Sequence, residues 1–299
     1  MACGAWHGRP LARALATRLS GRLLSAGLLS ARLPKQPAAL MHTRRMPARF
    51  FVDPPLSAGV SFALPSGPAR HVQVLRLQPG AAITLFDGSG GEWSAQVVRM
   101  GRSEVEVMLM EHTPVDRELA LSVTLALGMP ANERMDTVIE KAAELGATAI
   151  QPLLCERSVL RLAGERAQKK VTHWQAVATA ACEQSGRTRV PRIEPVRTLA
   201  DWLHALPAAS AEARWMLSFV DARPLAALAP RAAQAGGAVS LSGPEGGLTP
   251  AEEALARTAG FTPVSLGARV LRADTAPLAL LAHLSVMHAG AARIDGTTP

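Results

Sequence analysis

The residues best suited to chemistry lie near the C-terminus. They are Ser242-Gly243-Pro244-Glu245-Gly246-Gly247-Leu248-Thr249-Pro250 and Leu266-Gly267-Ala268-Arg269-Val270-Leu271-Arg272. The first stretch follows Ala238-Val239-Ser240-Leu241, an apolar run with the character of a buried strand. Glycine has no Cβ, so main-chain N–H and C=O groups in such a loop can approach a ligand closely. Behind the loop, Thr249 suits a helix N-cap, Pro250 the first helical position and Glu252 the third, a capping box. A strand, a bare-backbone loop and a capped helix make a place to hold a small molecule. The second stretch repeats the outline. Pro263-Val264-Ser265-Leu266 reads as strand, Gly267 as turn, and Thr275-Ala276-Pro277 opens an apolar helix.

These loops need a frame. From Leu119 onward the pattern predicts alternating strands and helices. The strands are Leu119–Leu127, Ala149–Leu154, Arg192–Val196 and Arg214–Val220; the helices are Asn132–Leu145, Glu165–Gln184 and Leu199–Leu206. Such alternation implies a parallel sheet covered by helices on both faces, with ligands at the carboxyl ends of the strands. On the 132–145 helix, Glu140 and Glu144 share a face, whereas Glu140 and Lys141 are not placed to pair across a turn. Residues 46–118 read instead as small β structure. Ala82–Phe86 and Glu92–Val98 flank Asp87-Gly88-Ser89-Gly90-Gly91, a hairpin signature and a plain turn, and Ser103–Leu109 alternates as a half-buried strand should.

Composition excludes several classes. The three cysteines are far apart and form no Cys-x-x-Cys pair, which argues against a zinc site or disulfide framework. His283 and His288 are five apart on a predicted helix and do not share a face, so no metal site is expected. No Gly-x-Gly-x-x-Gly follows the first strand of the α/β region, which disfavours a dinucleotide enzyme. The formal net charge is +8, yet residues 1–45 hold eight Arg and Lys and no acid, so the remainder is balanced. That segment has two readings: a mitochondrial transit peptide, or an upstream extension with Met41 or Met46 as the start. The Ala/Arg-rich, Lys-poor bias of the whole chain favours the extension and a cytoplasmic protein. Arginines interrupt the segment, so it is not a membrane span.

The motifs together resemble the RsmE family, the 16S ribosomal RNA uridine N3-methyltransferases of the SPOUT superfamily. The resemblance runs from about Met46 to the C-terminus. It rests on Arg70-His71-Val72 with Val74-Leu75-Arg76; Leu85-Phe86-Asp87-Gly88; Glu140 to Gly146; Glu156-Arg157-Ser158; Glu183-Gln184-Ser185-Gly186-Arg187; Gly243 to Gly247; and Leu266-Gly267 through Ala276. Ala273-Asp274 stands where the family more often has Thr-Glu, and keeps the carboxylate. The resemblance implies an α/β fold: residues 46–118 a PUA-like β-barrel that grips RNA, and residues 119–299 a SPOUT domain with a C-terminal trefoil knot. It also implies a homodimer and S-adenosylmethionine as methyl donor. The alternative is a non-catalytic RNA-binding or ribosome-assembly protein on the same scaffold.

On that resemblance, Leu217, Leu241, Gly243, Pro244, Glu245, Gly246, Gly247, Leu266, Gly267 and Leu271 are the candidates for holding the donor. The uracil N3–H must leave before N3 can attack, and a cation near the carbonyl oxygens stabilises the anion. Arg272 or Arg269 could supply it, because guanidinium stays charged and presents several donors. Glu245 or Asp274 could accept the proton, or could equally cap a helix or orient an arginine. RNA contacts are expected from Arg49, Arg70, His71 and Arg76, with Arg157 and Arg187 on the larger domain.

Overall fold

Between residues 48 and 113 short apolar runs alternate with turns, and in the computed structural model they build one sheet. The structure describes residues 47–53, 56–102, 104–131, 134–208 and 211–288, so the readings of residues 1–45 lie outside it. The elements are β1 (Ala48–Phe51), β2 (Ser61–Ala63), α1 (Ser66–Val74), β3 (Ala82–Phe86), β4 (Glu92–Met100) and β5 (Val105–Thr113). The hydrogen-bonded path is β1-β3-β4-β5-β2, parallel between β1 and β3 and antiparallel elsewhere. Among the described residues it ends at β1 and β2 without a ladder between them. Phe50, Ile83, Leu85, Val97, Val105 and Val107 fill its core. The Asp87 turn is local: the Asp87 carboxylate accepts from Ser89 N at 2.9 Å and Ser89 Oγ at 2.6 Å. Helix α1 was not anticipated. It buries only Ala69 and Val72 and has no side-chain N-cap, so its periodic signal is weak.

The larger sheet begins with β6 (Ser122–Gly128), α2 (Arg134–Glu144), β7 (Ala149–Leu154), α3 (Gly164–Ser185), β8 (Arg192–Ile193) and β9 (Arg197–Thr198). It continues through α4 (Leu199–Ala205), β10 (Ala213–Leu217), β11 (Arg223–Pro224) and α5 (Leu225–Ala235). The last elements are β12 (Gly237–Ser242), α6 (Pro250–Thr258), β13 (Thr262–Ser265) and α7 (Thr275–Met287). The order is β11-β13-β10-β12-β6-β7-β8, with β9 also on β7, and every pairing is parallel. Successive side chains of a strand point to opposite faces. Val123, Leu125 and Leu127 of β6 therefore pack with residues of α2, α5 and α7, while Ala126, Val239 and Leu241 pack with α4 and α6. β12 is buried at every position, as a central strand covered on both faces should be. Helix α5, also unanticipated, carries Pro230 inside it.

One local expectation is corrected. The Lys141 Nζ reaches both Glu140 at 2.7 Å and Glu144 at 2.8 Å. A long flexible side chain spans the adjacent position that helix-face geometry alone disfavours. The Glu140 pair is solvent-exposed and the Glu144 pair half-buried, and pairs this close to solvent contribute little.

Candidate functional site

The chain reverses direction across the larger sheet, running outward from β6 to β8 and then returning to β10 and β12 on the other side. Clefts open at the carboxyl ends of strands around such a point. Here a cavity of about 520 Å³ lies beyond the ends of β10, β12 and β13. Three loops form it, following those strands in turn, and most of the predicted donor-site residues meet there. Leu217, Gly243, Pro244, Glu245, Gly247, Leu266, Gly267 and Leu271 line it, with Arg269 and Arg272.

The loop after β12 holds its shape through its own helix. Thr249 Oγ1 accepts from Glu252 N at 3.2 Å and the Glu252 carboxylate accepts from Thr249 N at 2.8 Å, the capping box read from sequence. The other Glu252 oxygen accepts from Glu156 N at 2.8 Å, which ties the loop after β7 to the same turn. Gly247 (φ +69°) and Gly267 (φ +108°) sit in the left-handed region, and the space where a Cβ would stand is open at both. A Cβ on Gly243 would meet Leu248 N at 2.8 Å, so this glycine allows the loop to close on itself.

Two donor-site expectations are corrected. Leu241 is fully buried in the core beneath α4 and α6 and does not line the cavity. Gly246 does not line the cavity; it faces Arg157, whose Cβ would lie 2.9 Å from a Cβ at that position, so close packing accounts for a glycine here. Other residues escaped the sequence reading. Ser218, Phe219 and Val220 follow β10, and the rule that loops after parallel strands line a cleft could have found them. Arg134 at the start of α2 also lines the cavity, and nothing in its local sequence signals that.

Glu245 and Glu253, the acids that line the cavity, are engaged, and so is Asp274 nearby in the chain. Glu245 Oε1 accepts from Ala131 N at 2.9 Å and from Arg134 at 3.1 Å. Glu253 accepts from Ser218 Oγ at 3.2 Å. Asp274 precedes α7 without capping it; its carboxylate accepts from Thr275 Oγ1 at 3.2 Å. Arg269 and Arg272, by contrast, are exposed and their guanidinium groups have no partner among the described residues.

The expected RNA contacts divide. Arg70 and His71 are exposed on α1, and Arg76 is exposed just beyond it with φ +54°. His71 stands edge-on to Phe50 and 4.0 Å from Glu183. Arg157 is exposed, but one of its nitrogens donates to Gly246 O at 2.9 Å and supports the glycine loop. Arg49 and Arg187 do not fit the expectation. Both are buried, and their guanidiniums pair with Glu92 and Glu118. A phosphate contact needs donors facing solvent, and theirs face inward.

The cavity thus offers apolar walls from Leu217, Leu266 and Leu271, bare backbone at two open glycines, and the two exposed cations Arg269 and Arg272. That set suits a small molecule with a flat apolar part beside a group that becomes negative during reaction.

Comparisons with known proteins agree with this arrangement. Residues 117–285 match the RNA methyltransferase domain family, and residues 69–109 match the RNA methyltransferase PUA domain. The ribosomal RNA small subunit methyltransferase E of Synechocystis is 35% identical over 243 residues, covering 81% of this chain and 78% of that protein. The Bacillus subtilis protein of the same name is 30% identical, covering 79% of this chain and 95% of its own length. The crystal structure of a ribosomal RNA small subunit methyltransferase E from Neisseria gonorrhoeae, bound to S-adenosyl methionine, superposes with a TM-score of 0.76. It is 39% identical and covers 81% of this chain and 98% of that one.

Proposed function

The chain belongs to the family of ribosomal RNA small subunit methyltransferases E, and on that premise we propose that it moves a methyl group from S-adenosylmethionine to N3 of a uridine in 16S ribosomal RNA. The observation that carries this reading is the cavity at the ends of β10, β12 and β13, with its open glycines and two exposed arginines that have no partner among the described residues. The residues present fit the donor. Leu217, Leu266 and Leu271 offer an apolar slot, and the loops at Gly243, Gly247 and Gly267 offer main-chain partners. When bound, the sulfonium supplies an electrophilic methyl and needs no metal. Arg272, with Arg269 beside it, stabilises the negative charge that uracil acquires on losing its N3 proton. Glu245 is better suited to orienting Arg134 than to accepting that proton, because its Oε1 already accepts two hydrogen bonds. The loops exclude water from the reacting centre and fix its orientation.

Residues 46–118 act as the PUA-like RNA-gripping unit and residues 119–299 as the transfer unit. The family matches over 69–109 and 117–285 support that division. Arg70, His71 and Arg76 contribute phosphate contacts, which position the substrate without reading its sequence. A trefoil knot in residues 119–299 is inferred from the family resemblance. A homodimer joined at the cavity rim is supported by Phe219, Val220 and Val270, large apolar side chains left exposed there. A cytoplasmic location suits an enzyme of ribosomal RNA. Among the described residues no helix is long and apolar enough to cross a membrane.

The test is to incubate unmodified small subunits with the protein and isotope-labelled donor, then identify labelled nucleosides by mass spectrometry. Labelled 3-methyluridine is expected. Tight subunit binding without donor affinity would instead identify an assembly protein.

A further inference from the structure

One motif of the sequence, Glu183-Gln184-Ser185-Gly186-Arg187, has no place in the cavity. It ends α3 and turns at the seam between the two sheets. Phe51 N of β1 donates to Glu183 at 2.9 Å, and Arg49 of β1 donates to Arg187 O at 3.1 Å. Arg117, on the connection between the sheets, donates to Gly186 O at 3.1 Å and to Glu92 of β4 at 2.9 Å. Arg49 pairs with the same Glu92. Arg187 donates to Glu118 at 2.9 Å and to the carbonyls of Ala143 and Ala147 at 2.8 and 2.9 Å. The second Glu118 oxygen accepts from Thr188 N and Arg189 N. Beneath these bonds Phe51 and Phe86 from the small sheet pack on Ala143, Ala181, Cys182 and Val190 from the large one. The Arg49 guanidinium also lies 5.0 Å from the Phe86 ring centre.

The side chains of Arg49 and Arg187 are only 5% and 7% exposed. The Arg49–Glu92 pair lies within the small sheet, so opening the seam would break the bonds from Arg49 to Arg187 O, from Arg117 to Gly186 O and from Phe51 N to Glu183, leaving buried polar groups without partners. Such a joint tolerates one arrangement. A nucleotide gripped on the small sheet must enter a cavity on the large one, and a joint that wanders must be ordered at binding, which weakens affinity for the RNA.

We propose that this seam is a rigid clasp that fixes the RNA-gripping unit at one angle to the transfer cavity, with Arg49, Glu92, Arg117, Glu118 and Arg187 as positioning residues for the ribosomal RNA. The proposal rests on the methyltransferase reading. It assigns the motif to orientation and not to RNA contact.

Spin labels test it directly. Val74→Cys on α1 and Val159→Cys after β7 place labels on exposed positions of the two units, in a Cys3→Ser background; Cys155 and Cys182 are buried. A narrow distance distribution is expected with the native clasp. Glu92→Gln should broaden it and raise KM for small subunits by about tenfold or more, leaving donor affinity and saturating kcat as they were. Glu92→Asp, which keeps the charge, should recover part of the loss. If Glu92→Gln fails to fold, Arg117→Ala, at a more exposed position, tests the same joint. Unchanged distances with raised KM would overturn the clasp, because Glu92 would then act on RNA itself. Broadened distances with unchanged KM would overturn the positioning role, and so would a loss confined to kcat or donor affinity. A native protein that leaves subunits unmethylated would sink the functional reading, while the label distances would still judge the joint.

Discussion

Arginine has two fates in this molecule. At the seam, Arg49 and Arg187 are buried, paired with carboxylates and bonded to carbonyls. At the cavity rim, Arg269 and Arg272 are exposed and unpartnered among the described residues. A guanidinium whose donors are spent on the protein holds elements together. One whose donors are free can meet charge that appears only during reaction. The contrast separates structural from chemical arginines without reference to their positions in the chain.

Substitutions should divide along that line. Arg187→Ala removes the partner of a Glu118 carboxylate whose side chain is 13% exposed, and breaking a buried pair of this kind costs about 3–5 kcal/mol. Denaturant unfolding should show the loss; a stability change near zero would erase the distinction. Arg272→Ala should do the reverse, with methylation kcat falling by about 10²–10³-fold and the unfolding midpoint unmoved. Near-normal methylation would remove Arg272 from the reaction. Gly247→Ala forces a Cβ into the left-handed region at an open position. It should cost about 1 kcal/mol of stability and weaken donor binding in calorimetric titration; unaltered binding would place the donor away from this loop.

The smallest effects sharpen the seam itself, where two carboxylates titrate in opposite directions. Burial pushes Glu183 above the usual 4.5, against the pull of the Phe51 N–H and the charges of His71 and Arg49. Burial pushes Glu92 the same way, but hydrogen bonds from Arg117 and Arg49, together with their charges, hold it below 4.5. Ionised Glu183 therefore opposes folding. Its penalty appears as pH rises through 4.5 to the folded value and persists above it. Ionised Glu92 favours folding above 4.5, and that support is lost as pH falls through its lower folded value. Glu183→Gln keeps the acceptor for Phe51 N and should raise Tm slightly at pH 7, with the gain vanishing below 4.5. Glu92→Gln should lower Tm at pH 7, with the loss shrinking in acid. Equal shifts at both pH values would remove the electrostatic account of the seam.

What was legible in the sequence was local. Thr249, Pro250 and Glu252 announced a capping box because its bonds close within four residues. Ala149–Leu154 is legible with its observed ends because Gly146 before it and Glu156 after it bound a short, mostly apolar run. Arg49 and Arg187 were misread because their partners and neighbours lie far away in the chain: Glu92 is 43 residues from Arg49, and Glu118 is 69 from Arg187. A lone arginine in a sequence looks the same whether it will face solvent or a buried carboxylate. Leu241 shows the same limit inside the site, since a strand's alternation does not reveal which face a ligand will meet, and Gly246 shows it in a loop, where its neighbour Arg157 lies 89 residues away in the chain. Helix α1 escaped because so little of it is buried, and Pro230 disguised α5.

The most direct test of the account is a crystal structure of the protein with S-adenosylmethionine. The account predicts density for the donor between Leu217, Gly243, Gly247, Leu266 and Leu271, with its methyl facing Arg272. Density elsewhere, or none at concentrations that saturate the relatives, would contradict it.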